Sequence, residues 1–155
     1  DRIALVRHAQ PDTDIVEILH DPSILENLSE ARSHPGPMPS EICFRITMEG
    51  ETIGQVCLKS IKWINRKAEI SLFIRTDMQG KGYGSTALKA IIDYAFNRLN
   101  LYRLEAELID GNLASTQMLR KEGFREEGRL REAKFVNGKY KDLLRFGLLM
   151  KEYGK

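Results

Sequence analysis

The chain has 155 residues, a length that suits one domain and leaves little room for two. Hydrophobic residues make up 42% of it and charged residues 30%, enough for a sizeable core beneath a polar surface. The 24 basic and 22 acidic residues nearly cancel, and no concentrated basic stripe is visible, which disfavours nucleic acid as a partner.

No stretch approaches the length of a membrane span, and the first residues lack the apolar core of a signal peptide. We therefore expect a cytoplasmic protein without a membrane partner. Cys43 and Cys57 lie in two adjacent predicted strands without metal-ligand spacing. A disulfide between them is one interpretation, and two reduced core thiols is the preferred one. The three histidines are far apart in sequence, so no metal site is predicted.

The N-terminal part is predicted to hold one strand and two helices. Apolar residues alternate over residues 2–8, which predicts a strand, and recur at helical spacing over residues 12–19, which predicts a short helix. A second helix is predicted to begin at Asp21-Pro22, because Asp caps helices and Pro fits the first helical position. Residues 33–40 contain three prolines and form a predicted loop, either a plain connector or the border of a substrate opening.

The middle of the chain is predicted as three strands in meander order followed by a long helix. The strand over residues 42–48 turns at Glu49-Gly50 into the strand over residues 53–61. The third strand, residues 68–75, is nearly all apolar, which suits a central strand covered on both faces. Apolar side chains at helical spacing then predict an amphipathic helix over residues 85–99.

The last third is predicted as a strand over residues 103–109, a helix over residues 114–121 and a hairpin. The hairpin strands, residues 130–136 and 143–150, flank a turn at Asn137-Gly138. Two strands joined by a long crossover helix imply a parallel pair inside the sheet. The predicted fold class is therefore mixed α/β, a mostly antiparallel central sheet with one parallel strand pair and helices on both faces.

The most informative segment is the run Asp-Met-Gln-Gly-Lys-Gly-Tyr-Gly-Ser at residues 77–85, between a predicted strand and the long helix. Glycines at alternate positions let the backbone turn tightly and approach a ligand. The free N–H groups at the helix start favour an anion, and a diphosphate is the natural occupant. The spacing fits neither a Walker loop nor a dinucleotide fingerprint. A glycine-rich connector without a ligand is the structural alternative.

The segment Gln79-Gly80-Lys81-Gly82-Tyr83-Gly84 resembles the Q/R-x-x-G-x-G/A coenzyme A pyrophosphate loop of the GNAT superfamily of N-acetyltransferases. Further motifs fall in the order expected for that family, and together they cover the chain from about residue 42 to its end. They are most similar to the branch of ribosomal-protein N-terminal and spermidine acetyltransferases. The further motifs are Ala68-Glu69-Ile70, Asn112, Ser115, Lys121-Glu122-Gly123-Phe124, Glu127-Gly128 and Gly138-Lys139-Tyr140-Lys141-Asp142.

The resemblance implies a single GNAT domain over residues 1–155, with its parallel strand pair splayed, and acetyl-CoA as cosubstrate without a metal. The pyrophosphate would lie on the backbone N–H groups of the glycine loop, and the pantetheine arm would pair along the preceding strand. For Asn112, a helix cap is weighed equally against a contact with the pantetheine arm. The resulting coenzyme A-binding residues are Leu72, Phe73, Ile74, Gln79, Gly80, Lys81, Gly82, Tyr83, Gly84, Ser85 and Asn112.

Acetyl transfer requires a neutral amine, and an alkylamine titrates near the lysine value of about 10.4, so a base must remove a proton. The candidate base is Glu69, one of two polar residues in an otherwise apolar strand. The structural alternative is an ion pair between Glu69 and either Arg45 or Lys59.

The departing thiolate needs a proton or a strong hydrogen bond. Many superfamily members use a Tyr in the short helix, at the position that is Leu119 here. Ser115, one turn earlier, resembles a serine that this branch is thought to use, and the alternative is an ordinary serine at a helix N-terminus. Tyr83 and Tyr140 are weaker candidates.

The predicted function is transfer of an acetyl group from acetyl-CoA to a primary amine by direct attack in a ternary complex. The acceptor is a protein N-terminus, a polyamine or another small amine. Acidic residues in the predicted N-terminal helices would suit a polyamine, but surface helices are commonly acidic. A catalytically weak or inactive coenzyme A-binding sensor or scaffold is the alternative function, because the usual Tyr is missing. The resemblance also leads us to expect a homodimer.

Overall fold

A computed structural model describes residues 3–8, 16–18 and 38–154. The described residues form two compact units, one ending at Leu101 and one beginning at Tyr102. The strands of the first unit are β1 Ile3–His8, β2 Val16–Ile18, β3 Ile42–Met48, β4 Glu51–Lys62 and β5 Lys67–Ile74. Its helical segments are a 3₁₀ turn Thr76–Met78, the helix α1 Tyr83–Asp93 and a π-helical segment Tyr94–Arg98. The second unit contains β6 Arg103–Ile109, α2 Leu113–Lys121, β7 Arg125–Val136, β8 Lys139–Leu149 and a 3₁₀ turn Met150–Glu152.

The strands of the first unit follow the order β2-β1-β3-β4-β5, and each neighbouring pair is antiparallel. Glu49 and Gly50 join β3 to β4 with φ angles of 52° and 82°. A two-residue hairpin turn of this kind needs a positive φ at both positions, which Gly supplies at no steric cost. Phe44 of β3 and Val56 of β4 face each other and are completely buried. The predicted meander of three strands is therefore confirmed.

Helix α1 packs against β4 and β5 and continues into the π-helical segment. The Leu99 N–H donates to the Tyr94 carbonyl, five residues back, at 3.1 Å. Three consecutive residues, Tyr94, Ala95 and Phe96, are all buried, and the Tyr94 ring meets the Phe44 ring edge-on at 5.3 Å. Successive residues of an α-helix are about 100° apart, so an unbroken α-helix turns one of three consecutive side chains away from its core. The wider turn brings all three into the core.

In the second unit the strand order is β6-β8-β7, again antiparallel. Alternate side chains of β6 and β8 form its core together with Leu119 of α2 and Phe124. Gly123 has a φ of 102° and ends α2 in the left-handed conformation. The predicted turn at Asn137-Gly138 is confirmed, with φ angles of 50° and 76°. The buried side chains of β6 and β8 are Leu104, Ala106, Leu144, Phe146 and Leu148.

The N-terminal prediction requires a correction. Val16–Ile18 form a short strand, whereas a helix was predicted over residues 12–19. This strand pairs with β1, with Leu5 opposite Ile18 and Arg7 opposite Val16. Backbone N–H and C=O groups of residues 16–18 thus find hydrogen-bond partners on β1. The β-branched Val16 and Ile18 favour the extended conformation. The second predicted helix and residues 33–37 of the proline-rich loop lie outside the described residues, and residues 38–41 contain neither helix nor strand.

The two cysteines are joined in a disulfide, so the expectation of reduced thiols is wrong. Cys43 of β3 and Cys57 of β4 are direct cross-strand partners, with Cα atoms 4.1 Å apart. Strand register therefore places the two sulfur atoms together, a relationship that sequence spacing does not reveal. Among the described helices, none combines the length and the apolar character that crossing a membrane requires.

Candidate active site

The glycine run forms a tight turn that leads into α1. Gly80 and Gly82 have φ angles of 76° and 86°, a region that residues with a Cβ rarely adopt. A Cβ at either position would meet no atom within 4 Å, so the loop is open on that side. Gly82 is the N-cap of α1, and its carbonyl accepts the first helical hydrogen bond, from the Thr86 N–H at 3.1 Å. The N–H groups of the first helical turn therefore have no partner within the helix and can bind an anion.

Side chains on both sides of the 3₁₀ turn fix the start of this loop. Gln79 Nε2 donates to the Ile74 carbonyl at the end of β5, at 2.9 Å. Arg75 donates to both carboxylate oxygens of Asp77, at 2.6 and 3.0 Å, and to Glu51 Oε1 at 2.8 Å. The Arg75 guanidinium lowers the pKa of Asp77, because its hydrogen bonds favour the charged form of the carboxyl group. The loop is thus anchored to β5 and to the start of β4.

The predicted pantetheine-binding strand is β5. Leu72, Phe73 and Ile74 lie opposite Val56, Gln55 and Gly54 of β4. Gly54 permits an unusually close approach, because a Cβ there would lie 2.2 Å from the Phe73 carbonyl oxygen. The Phe73 side chain is 63% exposed, which leaves a large apolar group at the surface of the unit.

The candidate base, Glu69, is half-buried on β5 and lies directly opposite Lys59 of β4. Alternation along the strands places Ser71 and Cys57 on the same face of the sheet as Glu69. Of the two predicted ion-pair partners, Lys59 is the cross-strand neighbour. Arg45 lies on β3 opposite Gln55, two strands away and four residues along β4 from Lys59. Strand register therefore makes Lys59, and not Arg45, the cation directly across from Glu69.

Asn112 acts as the N-cap of α2, which confirms the capping alternative. Its Oδ1 accepts a hydrogen bond from the Ser115 N–H at 3.2 Å. Its backbone carbonyl accepts from the Thr116 N–H at 3.1 Å and from the Thr116 hydroxyl at 2.8 Å. The cap uses Oδ1 and leaves the amide Nδ2, a donor, for a ligand. Ser115 is half-buried in the first turn of α2.

Three other positions discussed for the leaving thiolate belong to different environments. Leu119 is buried in the core of the second unit, where its carbonyl accepts the Phe124 N–H at 3.0 Å. Tyr140 is exposed on the β7–β8 hairpin and packs edge-on against Phe135, with ring centroids 5.0 Å apart. Tyr83 is the first residue of α1 and is half-buried. Of these three residues, Tyr83 alone belongs to the glycine loop.

A cluster that sequence reasoning missed lies beside Asn112. Arg129 Nη1 donates to Asp110 Oδ2 and to Asp142 Oδ2, both at 2.7 Å. The Glu132 N–H donates to Asp142 Oδ1 at 2.8 Å. These two donors, first the Glu132 amide and then the Arg129 guanidinium, lower the pKa of Asp142. Asp142 closes the motif Gly138-Lys139-Tyr140-Lys141-Asp142, which was the one sequence signal for this cluster.

A second ion cluster lies across β6, β7 and β8. Arg103 Nη1 donates to Glu127 Oε2 at 3.0 Å, and Arg103 Nε donates to Glu105 Oε2 at 2.9 Å. The Arg103 guanidinium lowers the pKa of Glu127. Gly147 makes room for this pair, because a Cβ there would lie 2.5 Å from the Glu127 carboxylate.

Among the described residues, one group of three side chains could offer metal ligands, Glu41, Cys43 and Cys57. Glu41 Oε1 lies 3.1 Å from Cys43 Sγ. The two sulfur atoms are joined to each other, whereas the thiolate is the form of cysteine that binds metals.

Comparison with known proteins assigns the chain to a family. The model of an acetyltransferase (GNAT) domain matches residues 21–144. The chain belongs to the GNAT acetyltransferase family. This confirms the resemblance seen in the glycine loop and in the motifs that follow it.

Relatives of this GNAT chain include enzymes of the predicted branch. It is 36% identical over 114 residues to a spermidine N(1)-acetyltransferase of Escherichia coli (strain K12), which covers 74% of this chain and 61% of the relative. It is 36% identical over 105 residues to a putative ribosomal N-acetyltransferase of Bacillus subtilis (strain 168), covering 68% of this chain and 57% of the relative. The matched region thus spans about three fifths of the length of these curated relatives.

A solved structure supports the same assignment. The dodecameric structure of spermidine N-acetyltransferase from Vibrio cholerae superposes with a TM-score of 0.72 at 32% identity, covering 86% of this chain and 77% of that chain. The predicted fold class, the mixed α/β GNAT fold, is confirmed. The prediction of one domain over residues 1–155 stays a prediction.

Proposed function

We propose that this GNAT chain transfers an acetyl group from acetyl-CoA to a primary amine. One observation supports this most directly: Gly80 and Gly82 hold positive φ angles and leave open space in front of the first turn of α1. Backbone N–H groups without helical partners and the positive end of the helix dipole suit a diphosphate. Lys81, exposed in the same loop, adds a positive charge.

The proposed coenzyme A contacts come from the loop, from β5 and from the start of α2. The backbone of residues 79–85 would hold the pyrophosphate, with the side chain of Gln79 occupied in anchoring the loop to Ile74. The backbone edge of residues 72–74 would pair with the pantetheine arm, whose amides need hydrogen-bond partners. Asn112 would donate from Nδ2, since its Oδ1 already caps α2.

The proposed chemistry is direct attack in a ternary complex. The amine nitrogen attacks the thioester carbonyl carbon, the C–S bond breaks, and the sulfur departs as a thiolate. Glu69 accepts the proton that the amine must lose, directly or through a water molecule. The Ser115 hydroxyl donates a hydrogen bond to the departing sulfur. Half-burial of both side chains leaves them accessible to substrate while reducing competition from water.

The acceptor is proposed to be one of three classes: a polyamine, a protein N-terminus or another small amine. The names of the relatives, spermidine and ribosomal N-acetyltransferases, support the first two classes. We also propose a homodimer in solution, from the family resemblance.

The test follows thiol release from acetyl-CoA in the presence of spermidine, Ser- and Ala-terminal peptides, an aminoglycoside and an amino sugar. Wild type is compared with Gly82→Glu and with the matched control Gly50→Glu. Both glycines have a positive φ, 86° and 82°, and open space around a Cβ, but Gly50 lies in the β3–β4 turn. The backbone strain of the two changes is therefore similar, roughly 1–2 kcal/mol each, while only Gly82→Glu adds a negative charge in front of α1.

Amine-stimulated thiol release that Gly82→Glu abolishes and Gly50→Glu retains would support the transferase and identify its acceptor class. Tight binding of coenzyme A without release for any amine would point to a sensor or scaffold. Failure of acetyl-CoA to bind to wild type would overturn the assignment of the loop.

A further inference from the structure

The turn between β6 and α2 is tied to the β7–β8 hairpin at several points. It runs from Ile109 to Asn112, whose N–H donates to the Ile109 carbonyl at 3.1 Å, and passes through Gly111 with a φ of 101°. The Asp110 N–H donates to the Asp142 carbonyl of β8 at 2.9 Å. The turn that ends in the N-cap of α2 is thus an extension of the β6–β8 ladder.

Arg129 of β7 joins the same turn from the other strand of the hairpin. A single nitrogen, Nη1, donates to a carboxylate oxygen of Asp110 and to one of Asp142, each at 2.7 Å. The other oxygen of Asp142 accepts the N–H of Glu132, which has a φ of 49° at a register shift between β7 and β8. One cation therefore bridges two carboxylates that would otherwise repel each other beside the turn.

Stability alone does not account for this arrangement. The side chains of Arg129 and Asp110 are 44% and 47% exposed, and ion pairs at such exposure contribute about 0–1 kcal/mol. The effect of the ion pair on the position of the turn matters more than its effect on stability. Asp110 is two residues from Asn112, and the cap that Asn112 forms on α2 determines where the Ser115 amide and hydroxyl lie. A small rotation of this turn would move both groups together.

We propose that Arg129, with Asp110 and Asp142, is a positioning residue that holds Asn112 and Ser115 in place for the thioester end of acetyl-CoA. Without the guanidinium, the two carboxylates push apart and the turn at residues 110–112 leaves its place beside β8. The inference rests on the proposed function, since it assigns Asn112 and Ser115 to the cosubstrate.

The test compares Arg129→Gln with Arg125→Gln in the complete chain. Arg125 is also an exposed arginine on β7 in an ion pair, with Glu152 at 3.2 Å, and is not part of the turn. We expect Arg129→Gln to raise the KM for acetyl-CoA and to lower kcat/KM by roughly tenfold to a hundredfold, with an unchanged KM for the amine. Arg125→Gln should leave all three values near those of wild type, and both variants should melt close to wild type.

Two further variants separate positioning from a general loss of structure. Arg129→Lys keeps the positive charge and should recover part of the affinity for acetyl-CoA. The double variant Asp110→Asn/Arg129→Gln removes the repulsion between the two carboxylates and should also recover part of the affinity for acetyl-CoA. The effects of the two substitutions on that affinity are therefore not additive. Calorimetric titration with coenzyme A gives a second readout that is independent of turnover.

The outcomes distinguish this inference from the function on which it rests. If wild type binds acetyl-CoA but Arg129→Gln binds it equally well, the positioning role is wrong and the proposed function stands. A lower melting temperature with unchanged KM and kcat would show a purely structural role. If wild type does not bind acetyl-CoA, the assignment of the loop fails and this inference falls with it.

Discussion

Glu69 of β5 and Lys59 of β4 are direct cross-strand partners, so a carboxylate and an ammonium group project from neighbouring strands on one face of the sheet. This relationship allows two roles for Glu69 to be distinguished. As a base, Glu69 must accept a proton from the amine; as a structural residue, it needs only a cationic partner.

We expect Glu69→Gln to lower kcat/KM by about 10²- to 10⁴-fold, because the amide has nearly the shape of the carboxylate but cannot accept a proton. The KM for acetyl-CoA should change little. The measurement is the pH dependence of the rate, whose acidic limb should disappear in the variant. Lys59→Gln is the control, since it removes the cation and keeps the carboxylate. Equal losses of melting temperature in both variants, with turnover intact, would identify a structural pair.

Gly54→Ala should destabilise the first unit by roughly 1–3 kcal/mol, the usual range for overpacking in a rigid environment. The added Cβ would lie 2.2 Å from the Phe73 carbonyl oxygen, so β4 and β5 must move apart. Urea denaturation gives the free energy of unfolding. Gly128→Ala is the matched control, because it adds the same methyl group where no atom lies within 4 Å. Comparable stability of the two variants would contradict the close approach of the strands.

The Cys43–Cys57 disulfide closes a short loop, with a sequence separation of 14. A loop of about this length is expected to contribute roughly 3 kcal/mol by restricting the unfolded chain. Dithiothreitol should therefore lower the urea midpoint of wild type and leave that of the double variant Cys43→Ala/Cys57→Ala unchanged. Detection of two free thiols in unreduced, denatured wild type would show that the bond does not form.

Glu127 should make stability depend on pH in the acidic range. Its pKa lies below the ordinary value of 4.5 because Arg103 donates to it, so the folded state binds the proton less readily than the unfolded state. The charged Glu127 contributes fully to the free energy of unfolding at pH values above its pKa in the unfolded state. This contribution is lost as the pH falls through the lower pKa of Glu127 in the folded state. Stability should therefore decline on acidification from about pH 5.

The variant Glu127→Gln should be less stable than wild type at pH 7 and should show a shallower decline below pH 5. Urea midpoints measured between pH 7 and pH 3 test this. Glu122→Gln is the control, since Glu122 is a half-buried carboxylate in the same unit and forms no ion pair among the described residues. An identical slope in Glu127→Gln and wild type would rule out this linkage.

Local patterns were sufficient for much of the fold. The Asn137-Gly138 turn, the meander and the glycine loop each depend on a few consecutive residues whose backbone preferences point the same way. The strand Val16–Ile18 escaped prediction because three residues are too few to show a period, and its conformation is set by pairing with β1.

The features that sequence reasoning missed depend on register between distant segments. Arg129 meets Asp110 and Asp142, 19 and 13 residues away, in a hairpin whose pairing shifts register on both sides of Arg129. Cys43 and Cys57 are likewise opposite each other through the register of β3 and β4. No local signal specifies such alignments, since a shift of one residue would turn each side chain to the other face.

The π-helical segment has a consequence for changes in chain length. A deletion within Tyr83–Asp93 would rotate every later side chain of the helix by about 100° and bring polar residues into the core. A deletion of one residue within Tyr94–Arg98 can instead be absorbed, because the wide turn can contract to ordinary α-helical hydrogen bonds. This helix therefore has a site where the deletion of a single codon leaves Leu88, Ile91 and Ile92 in register with the strands beneath them.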